Sequence, residues 1–143
     1  MAESSPARLY ALVVGSVLTI AGIIGFFYNS SFDVGNSIQV DDVFGILGVN
    51  GWHNVVHLAT GLLGLLAVGY AARTYALALG LVYVVVAILG FVDFGAGATH
   101  DTILKFIPVN TADNFLHLAL GFLGLAAGAA TPAVARSAAA PST

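Results

Sequence analysis

Four apolar stretches of about twenty residues each, Leu9–Tyr28, Trp52–Ala71, Tyr75–Phe94 and Ala112–Ala130, alternate with short polar interruptions. A hydrocarbon core about 30 Å thick is crossed by roughly 20 helical residues, so each stretch predicts one span. In lipid, only helices or closed barrels satisfy every backbone N–H and C=O. A barrel strand would alternate apolar and polar positions, and runs such as Leu81-Val82-Tyr83-Val84-Val85-Val86 do not. The expected fold class is an all-α membrane protein, a four-transmembrane-helix bundle. The first stretch is long enough to span. It follows only Glu3 and Arg8, and no small-x-small cleavage site precedes Asn29, so it reads as an uncleaved span and not a signal peptide.

Composition agrees. Of 143 residues, 59% are hydrophobic and 8% charged, against about 25% charged in ordinary globular domains; most of the surface must face lipid. The chain has no cysteine, which excludes disulfides, iron–sulfur clusters and thiolate chemistry. A net charge of -3 with scattered bases argues against a nucleic-acid partner. Arg8, Arg73 and Arg136 fall on one side of the spans and Lys105 on the other. The positive-inside rule then puts both termini in the cytoplasm of a bacterial inner membrane. Asp33, Asp41, Asp42, Asp93, Asp101 and Asp113 all lie at or near the outer face. Tyr10, Tyr28, Trp52 and Tyr75 sit where interfacial aromatic anchors belong.

The chain also repeats itself. Ala7-Arg8 and Tyr10-Ala11-Leu12 recur 65 residues later as Ala72-Arg73 and Tyr75-Ala76-Leu77, followed by Gly15/Gly80, Gly25/Gly90 and Phe26/Phe91. At an offset of 60, eleven of the nineteen residues from Val49 to Ala67 recur, among them Asn50/Asn110, Asn54/Asn114 and His57/His117. Shared Asn, His and Arg in register are not a by-product of apolar composition. Each unit holds two spans, so two tandem hairpins (residues 7–71 and 72–131) are expected to be related by a pseudo-two-fold along the membrane normal. They form one domain, 1–131, followed by a disordered cytoplasmic tail, 132–143. In the outer connections Asp41–Gly48 aligns with Asp101–Pro108, and each reads as a short amphipathic interfacial helix opened by a capping aspartate.

Asn50, Asn54, His57, Gly61 and Gly64 are spaced 4, 3, 4 and 3, which is one helix face; Asn110, Asn114, His117, Gly121 and Gly124 repeat it. Asn50 and Asn110 read as N-caps, with His57 and His117 about 10 Å deeper at 1.5 Å per residue. The polar site thus expected inside the bundle comprises Asn50, Asn54, His57, Asn110, Asn114 and His117. His53 precedes His57 by one turn and Asp113 precedes His117 by one turn. His53, His57, Asp113 and His117 therefore form a candidate ligand set for a divalent transition metal. His100 offers a further donor, and His57 and His117 could instead be axial ligands of haem b. The leading reading of the same residues is polar glue between helices, fixing their register.

The strings Gly51-Trp52-His53-Asn54-Val55-Val56-His57-Leu58-Ala59-Thr60-Gly61, Ala72-Arg73-Thr74-Tyr75-Ala76-Leu77 and Pro108-Val109-Asn110-Thr111-Ala112-Asp113-Asn114-Phe115-Leu116-His117-Leu118 resemble a bacterial four-span membrane-protein family known only as a domain of unknown function. The resemblance covers nearly the whole chain and implies four spans. It implies no activity, ligand or catalytic residue.

No nucleotide-binding glycine loop, nucleophile elbow or pair of deep carboxylates is present in the sequence. The leading expectation is a non-enzymatic scaffold or accessory subunit in the lipid bilayer, as a homo-oligomer or with a membrane-protein partner. The alternatives are a metal- or haem-binding membrane protein and a small pore or transporter.

Overall fold

A computed structural model describes residues 5–93 and 101–133. Four α-helices dominate it: α1 (Pro6–Tyr28), α2 (Gly51–Ala67), α3 (Ala72–Asp93) and α4 (Thr111–Ala129). Three of them, α1, α3 and α4, are long and apolar enough to cross a membrane. At 1.5 Å per residue α1 measures about 34 Å, whereas the 17 residues of α2 give about 26 Å. Every helix keeps an apolar face uncovered: Leu9 and Phe27 on α1, Leu66 on α2, Val92 on α3 and Leu123 on α4. Only lipid makes such a surface inexpensive, which, with the length and hydropathy of α1, α3 and α4, indicates a bilayer environment.

α1 packs most extensively on α2, and α3 on α4. Glycine makes both approaches possible. A Cβ at Gly15 would stand 3.0 Å from the Gly61 carbonyl and the Leu65 amide; one at Gly80 would stand 2.8 Å from the Leu125 amide and 2.9 Å from the Gly121 carbonyl. Backbones this close gain dispersion contacts, which drive helix association where apolar burial from water cannot.

α1 and α3 meet at the centre of the molecule, where Ala7, Tyr10, Ala11, Val14 and Leu18 face Ala72, Ala76, Leu79 and Tyr83. The expectation that Tyr10 and Tyr75 anchor the interface is corrected here. Their rings lie 6.3 Å apart. The Tyr10 hydroxyl donates to the Leu120 carbonyl of α4 (3.0 Å), and the Tyr75 hydroxyl donates to the Thr60 carbonyl of α2 (3.1 Å). Each tyrosine thus ties the first helix of one hairpin to the second helix of the other. At the same end, Thr131 accepts from the Ala7 amide and, through its carbonyl, from Arg73 Nε.

The connections from α1 to α2 and from α3 to α4 are not the short amphipathic helices that the sequence suggested. Asp41–Val43 (β1) pairs antiparallel with Leu47–Val49 (β2), and Asp101–Ile103 (β3) with Ile107–Val109 (β4). The turns explain the difference. Phe44 and Gly45 have φ 54° and 71°, and Leu104 and Lys105 have φ 55° and 63°. Two consecutive left-handed residues end a helix but suit a tight hairpin. Each turn closes with an amide-to-carbonyl bond, Ile46 to Val43 (3.1 Å) and Phe106 to Ile103 (3.3 Å). An eight-residue helix would gain few internal bonds for its nucleation cost, and the β-branched Val43, Val49, Ile103 and Val109 favour the extended form. Asp41 caps no helix; its carboxylate accepts from Asn29 Nδ2 at 2.9 Å.

Candidate metal centre

The polar residues gather where the hairpins meet the first turns of α2 and α4. Asn50 caps α2, its Oδ1 accepting from the His53 amide at 2.9 Å, and Asn110 caps α4, its Oδ1 accepting from the Asp113 amide at 3.0 Å. Both side chains have a second use. Asn50 Nδ2 donates to the Phe106 carbonyl of the far hairpin, and Asn110 Nδ2 donates to the Ile46 carbonyl of the near one, each at 2.8 Å. The caps therefore lace the two hairpins to opposite helices.

Asn54 and Asn114 do not join one another. Asn54 turns into the α1–α2 seam, where Nδ2 donates to the Asn29 carbonyl (2.8 Å) and its amide group fills the space left by the missing side chain of Gly25. Asn114 fills the corresponding space at Gly90. Both asparagines are fully buried. Of the six residues expected to form one polar site, four thus act as caps or seam fillers, and His57 and His117 alone come together.

They are joined by His53. One ring nitrogen from each of His53, His57 and His117 lies within 4.8 Å of the other two. The His53 ring is fixed on both sides. Nδ1 lies 2.9 Å from the Gly48 carbonyl, an acceptor only, so Nδ1 carries the proton and Nε2 presents a lone pair. That lone pair faces His57 Nε2 at 3.0 Å. A ring N–H held by a backbone carbonyl is how metal-ligating imidazoles are oriented; here the second nitrogen is itself within hydrogen-bond distance of His57. Two nitrogens each about 2.0–2.1 Å from one tetrahedral ion are roughly 3.3 Å apart, close to the observed separation. His117 Nδ1 is buried with no hydrogen-bond partner among the described residues, and leaving such a group unsatisfied costs about 1–3 kcal/mol.

Asp113 lies outside this group. Its Oδ2 accepts from the Asn110 amide, completing a capping box, and from the Gly48 amide, both at 3.0 Å. Gly48 thus receives Asp113 at its N–H and His53 at its C=O. The carboxylate braces the hairpin that orients the histidine. His100, the further donor considered above, lies outside the described residues.

A cavity of about 80 Å³ adjoins the three imidazoles between α2, α3 and the second hairpin, lined also by Thr60, Leu79, Tyr83, Val86 and Ile107. It is too small for a porphyrin, so the residues present do not fit haem b. Tyr83, whose ring centroid lies 4.9 Å from that of His117, was not singled out by the sequence. A signal existed: His53, Thr60 and Tyr83 all line this cavity, and each stands where the paired position in the other half of the chain has a different residue (Asp113, Leu120 and Leu18). Three of the chain's departures from the repeat thus meet at this cavity.

The model of a protein family described as a domain of unknown function (DUF4383) matches residues 8–137, and the chain belongs to that family. No curated protein and no solved structure matches it.

Proposed function

We propose that this member of the family is a four-span membrane protein made of two tandem hairpins, with a transition-metal ion held at its outer end by His53, His57 and His117. The observation that carries the reading is the convergence of three imidazole nitrogens within 4.8 Å, one of them oriented by the Gly48 carbonyl. Three nitrogen donors with an open fourth position form a recognised metal-binding set. Asp113, first considered as a ligand, supports the site through Gly48. The asparagines are structural: Asn50 and Asn110 cap and lace, and Asn54 and Asn114 fill seams.

In this reading α2 is the fourth span, its shortness offset by the hairpin above it. The equivalent contacts at Gly15/Gly80, Gly25/Gly90 and Tyr10/Tyr75 support a pseudo-two-fold along the membrane normal. Residues 1–131 form one domain, both termini are cytoplasmic, and the hairpins face outward from a bacterial inner membrane. A pore along the axis is disfavoured, because Tyr10, Leu18, Leu79 and Tyr83 fill it.

Elemental analysis of protein purified without a histidine tag, after exposure to copper, zinc, nickel and iron salts and removal of the excess, tests the proposal. One bound ion per chain in the wild type, and none in His57→Leu with unchanged helix content, is the expected result. Wild-type protein that retains no ion would sink it.

A further inference from the structure

Resting on that reading, we infer that the ion is copper in the cuprous state, bound by His53, His57 and His117 with one side open to the neighbouring cavity.

Charge is the first argument. All three donors are neutral imidazoles, and most of the surrounding side chains, Leu79, Val86 and Ile107 among them, are apolar, with Thr60 and Tyr83 adding one uncharged hydroxyl each. The cost of placing an ion in such surroundings rises with the square of its charge. A univalent ion already pays a desolvation penalty on leaving water, and a divalent ion without an anionic ligand pays several times more. Zinc or cupric ion would need a further anion at the metal, and the apolar cavity beside it is a poor host for one.

Geometry is the second argument. Cuprous ion is filled-shell, accepts three-coordination and does not require a fourth ligand. The three imidazoles come from only two helices, α2 and α4, and leave the side facing Tyr83 and Val86 uncovered. A cavity of about 80 Å³ there admits a small neutral molecule bound end-on at the metal. Carbon monoxide is a probe of that class, and its infrared stretch in a cuprous carbonyl identifies both the oxidation state and the open position.

The experiment uses full-length protein in detergent under anaerobic conditions. Affinities for cuprous ion and zinc are measured by chelator competition, and carbon monoxide is then added to the copper-loaded form. The inference expects cuprous ion to bind roughly 100-fold or more tightly than zinc, a consequence of the charge penalty. It also expects one cuprous carbonyl per chain. Val86→Phe should retain copper and lose the carbonyl band, because the larger ring fills the cavity. Zinc binding as tightly as cuprous ion would overturn the inference and leave the metal reading standing. Copper bound without a carbonyl would overturn the open side. Neither ion binding would overturn both the inference and the reading it rests on.

Discussion

Asn54 occupies the volume that a side chain on Gly25 would need, and Asn114 does the same at Gly90. Each asparagine is fully buried, so neither pair can yield by moving into solvent. The two substitutions Gly25→Ala and Gly90→Ala are therefore expected to destabilise the protein by about 1–3 kcal/mol each, the range for overpacking a filled interior. Thermal denaturation in detergent measures this. The double variant Gly25→Ala/Asn54→Ala should recover part of the loss. Strict additivity of the two substitutions would contradict the contact.

The tyrosine cross-ties give a second expectation. Tyr10→Phe and Tyr75→Phe each remove one hydroxyl donor to a helix carbonyl, at Leu120 and Thr60 respectively. Each should lower stability by about 0.5–1.5 kcal/mol. Because the two rings are 6.3 Å apart, the double variant should depart from additivity. Unchanged melting of both single variants would argue that these bonds do not hold the hairpins together.

Asp113 is expected to act on the first hairpin across the molecule. In Asp113→Ala the amides of Gly48 and Asn110 lose their carboxylate acceptor, at a cost of about 1–3 kcal/mol for each buried donor left unpaired. Amide hydrogen exchange at Gly48 should accelerate while exchange in the middle of α1 stays unchanged. A Gly48 amide that stays fully protected would refute the bracing role.

Metal loading should stabilise the fold. An ion bound only by the folded protein adds about 2.7 kcal/mol at a free concentration one hundred times Kd, and the melting temperature should rise accordingly. His57→Leu and His117→Leu should melt without responding to metal. Asp113→Asn, whose side chain is not among the three convergent donors, should still bind one ion. Loss of stoichiometric binding in Asp113→Asn would place the carboxylate in the ligand set after all.

The second hairpin stores strain at its turn. Leu104 and Lys105 both have positive φ, whereas the first hairpin has glycine at the corresponding Gly45. Left-handed backbone costs a non-glycine residue roughly 1–2 kcal/mol. Lys105→Gly should relieve part of this and raise the melting temperature slightly, its gain offset by the entropy that glycine adds to the unfolded chain. A clear destabilisation would show that the lysine side chain contributes more than its backbone loses.

Much of the site can be read from residue types. Asn50 and Asn110 announce caps because a short amide side chain before an apolar helix has an open amide to accept from three residues on. The His57 and His117 positions follow from spacing alone. His53 was legible as a donor but not as an oriented one, since its tautomer depends on the Gly48 carbonyl, which a hairpin brings within 2.9 Å. Asp113 looked like a ligand because it lies one turn above His117, and only the fold turns its carboxylate to Gly48. Tyr83 stayed hidden among valines, where apolar surroundings give an aromatic residue no distinguishing pattern.

Sequence by itself determined the membrane-embedded helices, because lipid leaves the backbone few options and length and hydropathy report that constraint directly. It also determined the duplicated caps and glycines, which are local requirements of helix ends and close approach. Tertiary structure decided what the polar residues do. Whether an asparagine fills a seam, a carboxylate braces a hairpin or three histidines converge depends on which groups lie opposite, and those come from other elements, as far as 65 residues away in the chain. The hairpins belong to the same class: positive φ at Phe44, Leu104 and Lys105 is strain that no residue preference announces. Packing against the helix ends and the neighbouring hairpin holds it in place.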